Sequence, residues 1–188
     1  MDTKVTVFEI DEADRIRRVD EAWLAFAAEN DGADLVRESV LGQDLWRYVA
    51  GRDLRLLYRA LFERVRKARR AVAIPFRCDA PDEERHMQLR IEPIARGNAL
   101  RLVSMNLLSV PREPLGLLDR DRSAAESDRP LSICSLCKAI QPEADRWLPL
   151  ERAVVELELT GSDPPPALSH GVCPACVDHL EDATRLAG

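Results

Sequence analysis

Cys134 and Cys137 form one C-x-x-C pair, and Cys173 and Cys176 form another. This spacing is the strongest chemical signal in the chain. A C-x-x-C knuckle presents two sulfurs to one ion, and four thiolates complete the tetrahedral shell of a structural zinc site. Between Cys137 and Cys173 lie 35 residues, against roughly 15–20 in a compact ribbon, so the site must close over a long insertion. Such a closed shell leaves no open position for a substrate, which argues against catalytic zinc. Structural zinc supplies about 10–16 kcal/mol of apparent binding energy. That is enough to decide whether residues 131–188, with their thin apolar inventory, fold at all. Four buried free thiols are the bland reading, and the paired spacing argues against it. A thiol-based redox switch is the alternative, because oxidation of such a shell releases its metal.

His170 and His179 flank the second pair. Four sulfurs already fill the shell, so His170 is expected to support the turn or hydrogen-bond a thiolate from behind it. His179 is expected to face outward from a terminal helix. Cys78 shares the parity of Ile74 and Phe76 and reads as a small core residue, whereas His86 has the opposite parity to Met87, Leu89 and Ile91. The chain has no phosphate-cradling glycine loop, no nucleophile elbow and no H-E-x-x-H pattern. The expectation is a protein that is not an enzyme.

The elements that must position the cysteines come from a chain of 188 residues, 46% hydrophobic and 32% charged. That balance excludes wholesale disorder, and no apolar run reaches the roughly 20 residues of a membrane span. The opening segment, acidic and alternating, is unlike a secretory signal. A soluble cytoplasmic protein is expected. Residues 1–110 carry 19 basic and 19 acidic side chains, while residues 111–188 carry 8 and 14 and hold the whole net charge of −6. An acidic zinc segment repels phosphate, so a protein partner suits it better than nucleic acid. A zinc-dependent nucleic-acid adaptor is the weaker alternative.

Val5 to Ile10 and Ile16 to Val19 read as strands, and Ala22 to Asn30 as a short helix. A partly helical piece runs from Val40 to Gly51. From about Arg52 to Arg70, Leu54, Leu57, Tyr58, Leu61 and Val65 recur at helical spacing. The basic end of this helix, Arg64 to Arg70, reads as a solvated face suited to a helix C-terminus. Three alternating segments follow, through Val72–Cys78, Met87–Ile91 and Leu100–Val110. Leu100, Leu102 and Leu108 are expected on one face of the last strand, with Val103, Met105 and Leu107 on the other. A strand apolar on both faces must be covered on both. Residues 111–130 read as a proline-bracketed linker in which Leu115, Leu117 and Leu118 could dock locally.

This order of strands and helices, with Val19–Trp23, the VLGQDLWRYV stretch at Val40–Val49 and the long helix before three strands, resembles a PAS sensory domain. The tail is similar to a cysteine-rich segment appended to PAS domains in bacterial signalling proteins. Its ICSLCKAI at Ile133–Ile140, WLPLE at Trp147–Glu151 and SHGVCPAC at Ser169–Cys176 carry that likeness. The proline-rich Thr160–Ala167 and the residues after Lys138 depart from the segment's usual form. The resemblance implies an α+β fold: a five-stranded antiparallel sheet with helices on one face, plus a small C-terminal zinc module. It implies a sensory or interaction domain over 1–110, a linker over 111–130 and a zinc-binding module over 131–188. By the same resemblance, the protein is a bacterial signal-transduction module working through protein contacts, as a homodimer or with a partner. A light-sensing flavin domain would need a cysteine, and haem a histidine, on the central helix. Neither stands there, so neither cofactor is expected. A small apolar ligand in the PAS-like cavity is compatible with the sequence.

Overall fold

A computed structural model describes residues 4–30, 32–95, 97–119, 130–161 and 165–186. Strands β1 (Val5–Ile10) and β2 (Ile16–Val19) pair antiparallel around a turn. There Asp11 accepts from the backbone N–H groups of Ala13 and Arg15 at 2.9 and 2.8 Å. Asp20 then caps helix α1 (Glu21–Glu29) by accepting from the Trp23 N–H, as a short acidic side chain at this position should. Helix α2 (Arg37–Val40), a 3-10 turn at Leu45–Arg47 and the long helix α3 (Arg52–Ala68) follow. Next come β3 (Val72–Arg77), β4 (Glu83–Pro93) and β5 (Leu100–Pro111). The five strands form one antiparallel sheet in the order β2-β1-β5-β4-β3. The fold is α+β and PAS-like.

Helix α3 buries Leu54, Leu61, Phe62 and Val65 against a sheet face that includes Ile10, Ile74, Leu89, Ile91, Leu100 and Leu102. Phe62 lies outside the expected stripe, yet it is 1% exposed and sits 5.6 Å from the Trp46 ring and 5.9 Å from that of Tyr58. Full burial of such a side chain stabilises the fold by about 1.5–3 kcal/mol. Leu57 and Tyr58 are only half-buried. At the basic end of α3, Lys67, Arg69 and Arg70 are exposed as expected, but Arg66 is not. Arg66 forms an ion pair with Asp14 at 2.7 Å and donates to the Asn98 carbonyl at 2.8 Å, while Arg69 donates to the Gly97 carbonyl at 2.9 Å. Guanidinium groups, with several donors in a rigid fork, can tie separate turns to one helix.

The last strand departs from simple alternation. A register shift sets His86 opposite Leu108 and Met87 opposite Asn106, with Leu107 as the extra residue. Such a bulge reverses the parity of the residues beyond it. Leu108 therefore leaves the face of Leu100 and Leu102 and is 49% exposed. Val103 and Met105 lie on the outer face as expected, opposite Arg90 and Gln88. One end of that outer face is charged: Glu9, buried, pairs with Arg101 at 3.0 Å and Arg17 at 3.5 Å. Its other end carries an apolar row on β1 and β5, Val5, Val103, Met105, Leu108 and Val110, flanked on β4 by the polar Arg90, Gln88, His86 and Glu84.

The C-terminal part contains β6 (Leu131–Cys134), β7 (Ile140–Glu143), β8 (Arg146–Leu148), helix α4 (Leu150–Glu156), β9 (Leu168–Gly171) and helix α5 (Pro174–Leu186). Its sheet order is β8-β7-β6-β9, and β6 pairs parallel to β9. A parallel pair needs a crossover of a dozen or more residues, which accounts for the long gap between the two C-x-x-C pairs. Half of the expected linker, residues 120–129, lies outside the described residues. Leu117 docks beforehand, joining Ile133, Ile140, Leu148, Leu150, Ala153 and Val154 in a small apolar core.

Candidate metal centre

Parallel pairing aligns Cys134, the last residue of β6, with Gly171 at the end of β9. Both knuckles therefore emerge at the same end of adjacent strands. In the first, Lys138 adopts φ 65° and donates its N–H to the Cys134 carbonyl at 3.0 Å, while the Cys134 N–H bonds the Ala139 carbonyl at 2.7 Å. In the second, Pro174 begins α5 and the Cys176 N–H bonds the Cys173 carbonyl at 3.0 Å. Proline suits the first helical position, where its missing N–H costs nothing.

The sulfurs of Cys134, Cys137, Cys173 and Cys176 all lie within 4.8 Å of one another, and those of Cys137 and Cys173 are 3.6 Å apart. A tetrahedral shell with Zn–S bonds of about 2.3 Å has sulfur–sulfur edges of about 3.8 Å. The arrangement can hold a metal ion. The Cys173 N–H points at the Cys134 sulfur at 3.4 Å, a contact that favours thiolate. Hydrogen bonds from the Cys137 and Cys176 thiols, with backbone N–H groups, hold Cys134 well below the ordinary thiol range. Cys137 is pushed up to about 12, chiefly by its hydrogen bond to Cys134. Cys176 is also pushed up, by Cys134 and Cys137. Sulfurs packed this closely cannot all be anionic without a cation among them.

Cys134 and Cys173 are buried, whereas Cys137 and Cys176 are half-buried. The cluster consists of the four cysteines alone among the described residues. His170 lies outside it, exposed on β9. Its backbone is what matters locally: a Cβ on Gly51, at the start of α3 with φ 85°, would sit 3.2 Å from the His170 carbonyl oxygen. Only glycine fits that approach and that backbone conformation. His179 is exposed on α5. Cys78 is half-buried in the loop after β3 and is not a core residue. The Cys78 N–H bonds the Arg85 carbonyl at 3.1 Å, and the Arg77 N–H bonds the Leu136 carbonyl of the first knuckle at 2.6 Å. His86 is exposed and bonds Glu84 at 2.6 Å.

The cysteine cluster is built into the PAS-like core. Cys134, Leu136, Ala139, Cys173 and Leu180 belong to the same buried apolar cluster as Ile74, Leu61 and Phe62. Helix α5 packs on α3 and β3, and the knuckle covers the free edge of β3, where Pro75 lacks an N–H.

Beside the cluster lies a network that sequence reading missed. Asp79, with no exposed side-chain surface, pairs with Arg77 and with Arg112 at 2.9 Å. Arg77 also reaches Glu151 on α4 at 2.7 Å. Burial raises the Asp79 carboxyl, but the hydrogen bond and charge of Arg77, with the charge of Arg112, hold it below its ordinary value. Only Arg77-x-Asp79 is local; Arg112 and Glu151 stand far away in sequence.

No protein-family model matches the chain, and no curated protein matches it. The solved structure of an RNA-binding light-oxygen-voltage receptor aligns with 18% identity and a TM-score of 0.40, over 55% of this chain. The match spans 28% of that receptor chain. The PAS-like fold rests here on strand order, pairing and register. No helix among the described residues is long and apolar enough to cross a membrane.

Proposed function

We propose that this protein is a signal-transduction module of the kind its cysteine-rich tail resembles in bacteria. A PAS-like sensor or interaction domain is braced by a structural four-cysteine zinc centre. It passes its state on through protein contacts, without catalysis of its own. The observation that carries this reading is the shared core: the metal-binding sulfurs and the α3–β3 edge of the sensory fold are buried in one apolar cluster. Cys134, Cys137, Cys173 and Cys176 would hold the zinc. The ion would supply cross-linking and charge compensation, and α5, which starts at the second knuckle, would be held against α3.

The output surface in this reading is the apolar end of the outer sheet face, where a second copy or a partner protein would pack. Met105→Glu places an unpaired carboxylate there, which a desolvated interface tolerates poorly. The expected result, by light scattering and by recovery of partners from cells, is a folded protein that no longer associates. Wild type that is monomeric at micromolar concentration and recovers no partner would sink the association.

The half-exposure of Cys137 and Cys176 favours a second reading, a thiol switch in which zinc loss is the signal. Mild peroxide separates the two. A structural centre keeps its metal at doses that oxidise reactive thiols, whereas a switch releases zinc with reversible disulfide formation.

A further inference from the structure

The sheet's inner face is apolar under α3 but changes character at its far end. There Thr6, Arg85 and Asn106 continue the rows of Phe8, Leu89 and Leu102. A cavity of about 420 Å³ opens between these residues and the C-terminal end of α1, within the size range of small-molecule sites. It is separate from the region over α3, which Trp46, Phe62 and Leu61 fill.

The polar groups of its wall are held in fixed orientations. The Arg85 guanidinium pairs with Glu83, donates to the Asn30 side-chain oxygen at 2.6 Å and lies 5.8 Å from the Phe26 ring centroid. The hydrogen bond and charge of Arg85 hold the Glu83 carboxyl below its ordinary value. The Asn106 amide nitrogen donates to the Ser109 hydroxyl oxygen at 2.8 Å. The Asn106 Oδ1 is buried, and no donor among the described residues reaches it. Leaving such an acceptor unpaired costs about 1–3 kcal/mol. Thr6 is 8% exposed in the same wall, and Met87, 5% exposed, adds an apolar floor beside Phe26. Near the mouth, Lys4 pairs with Glu29 at 2.8 Å.

The cavity thus offers a fixed guanidinium, a fixed carboxylate, an unfilled acceptor and an apolar floor, with lining charges that balance. We infer that it binds a small zwitterion, an α-amino acid with an apolar side chain. The ligand carboxylate would meet Arg85, its ammonium would donate to Glu83 and Asn106, and its side chain would rest on Phe26 and Met87. This takes the place of the apolar ligand that the sequence alone allowed. It rests on the sensory reading of the domain and names what is sensed.

The test is a thermal-shift and calorimetric screen of the full-length, zinc-loaded protein. The standard L-amino acids would be compared with N-acetyl and decarboxylated analogues and with a saturated fatty acid. At least one aliphatic or aromatic amino acid should bind one per chain. Both analogues should lose at least tenfold in affinity. Asn106→Leu and Arg85→Met should each abolish binding while zinc content and circular dichroism stay unchanged. If the substituted chains fail to fold, the wild-type comparison with the two analogues still decides. Absence of binding by every amino acid at millimolar concentration, equal binding of the analogues, or preference for the fatty acid would overturn the inference. Such a failure leaves the zinc and Met105 experiments untouched, so it is distinguishable from failure of the sensory module as a whole.

Discussion

Cys134→Ser is expected to strip the metal and release the C-terminal part from the PAS-like core. Wild type should carry one zinc per chain, and the variant should carry none. Trypsin should then cut within residues 131–186 under conditions that leave wild type intact. The effect is large because the apparent zinc-binding energy of about 10–16 kcal/mol is comparable with the whole stability of a domain, about 5–15 kcal/mol. It should also spread beyond the tail. Cys134 and Cys173 are packed in one cluster with residues of α3 and β3, so thermal unfolding of the PAS-like sheet should move to lower temperature as well. A chelator should reproduce these changes in wild type. Cys78→Ser is the control: Cys78 is half-buried and not one of the four clustered sulfurs, and its replacement should leave zinc content unchanged. Full metal occupancy in the Cys134 variant would refute the assignment.

Asp79→Ala is expected to destabilise the protein by about 3–5 kcal/mol, because it leaves Arg77 and Arg112 half-buried without their shared carboxylate. Both guanidiniums are under one-sixth exposed, at 12% and 15%. Urea unfolding monitored by circular dichroism would measure the loss. A pH dependence follows from the same group. The folded state holds the Asp79 carboxyl below its ordinary value of 3.8. The charged network therefore contributes fully well above that value. Its contribution is lost as pH falls past 3.8 and through the depressed folded value. Wild type should lose stability to acid across that window, and Asp79→Ala should show a flatter acid limb. Equal acid sensitivity of the two proteins would remove Asp79 from the account. Because Arg112 follows β5 and Glu151 lies on α4, the network also bears on how the tail sits, which limited proteolysis of the variant would report.

Much of the architecture was legible in the residues. Period-two alternation marked β1, β3 and β4 of the large sheet, since such strands bury one face and show the other. The 3.6-residue stripe of Leu54, Leu61 and Val65 marked α3, and the C-x-x-C spacing marked the four sulfurs. Three readings failed for one common reason. Leu108 changed face because a bulge at Leu107 is set by pairing with β4, which leaves no local trace. Arg66 looked like solvated charge because its acceptors, at Asp14 and Asn98, arrive from other turns. Cys78 looked like core because its alternation continues past the point where β3 ends.

Composition and spacing by themselves determined that the tail is acidic, that four cysteines form two knuckles, and that a helix follows the second. Local chemistry governs such features: knuckle spacing, the proline of a first helical turn, the periodicity of burial. Tertiary structure alone decided that β6 and β9 run parallel and bring the knuckles to one end of a sheet. It also decided that their sulfurs share a core with α3, that Asp79 links β3 to Arg112 and Arg77 to α4, and that a polar cavity opens beside Asn106. Each of these depends on contacts between residues distant in sequence. Those contacts form only when apolar faces, individually too small to be stable, are buried against one another.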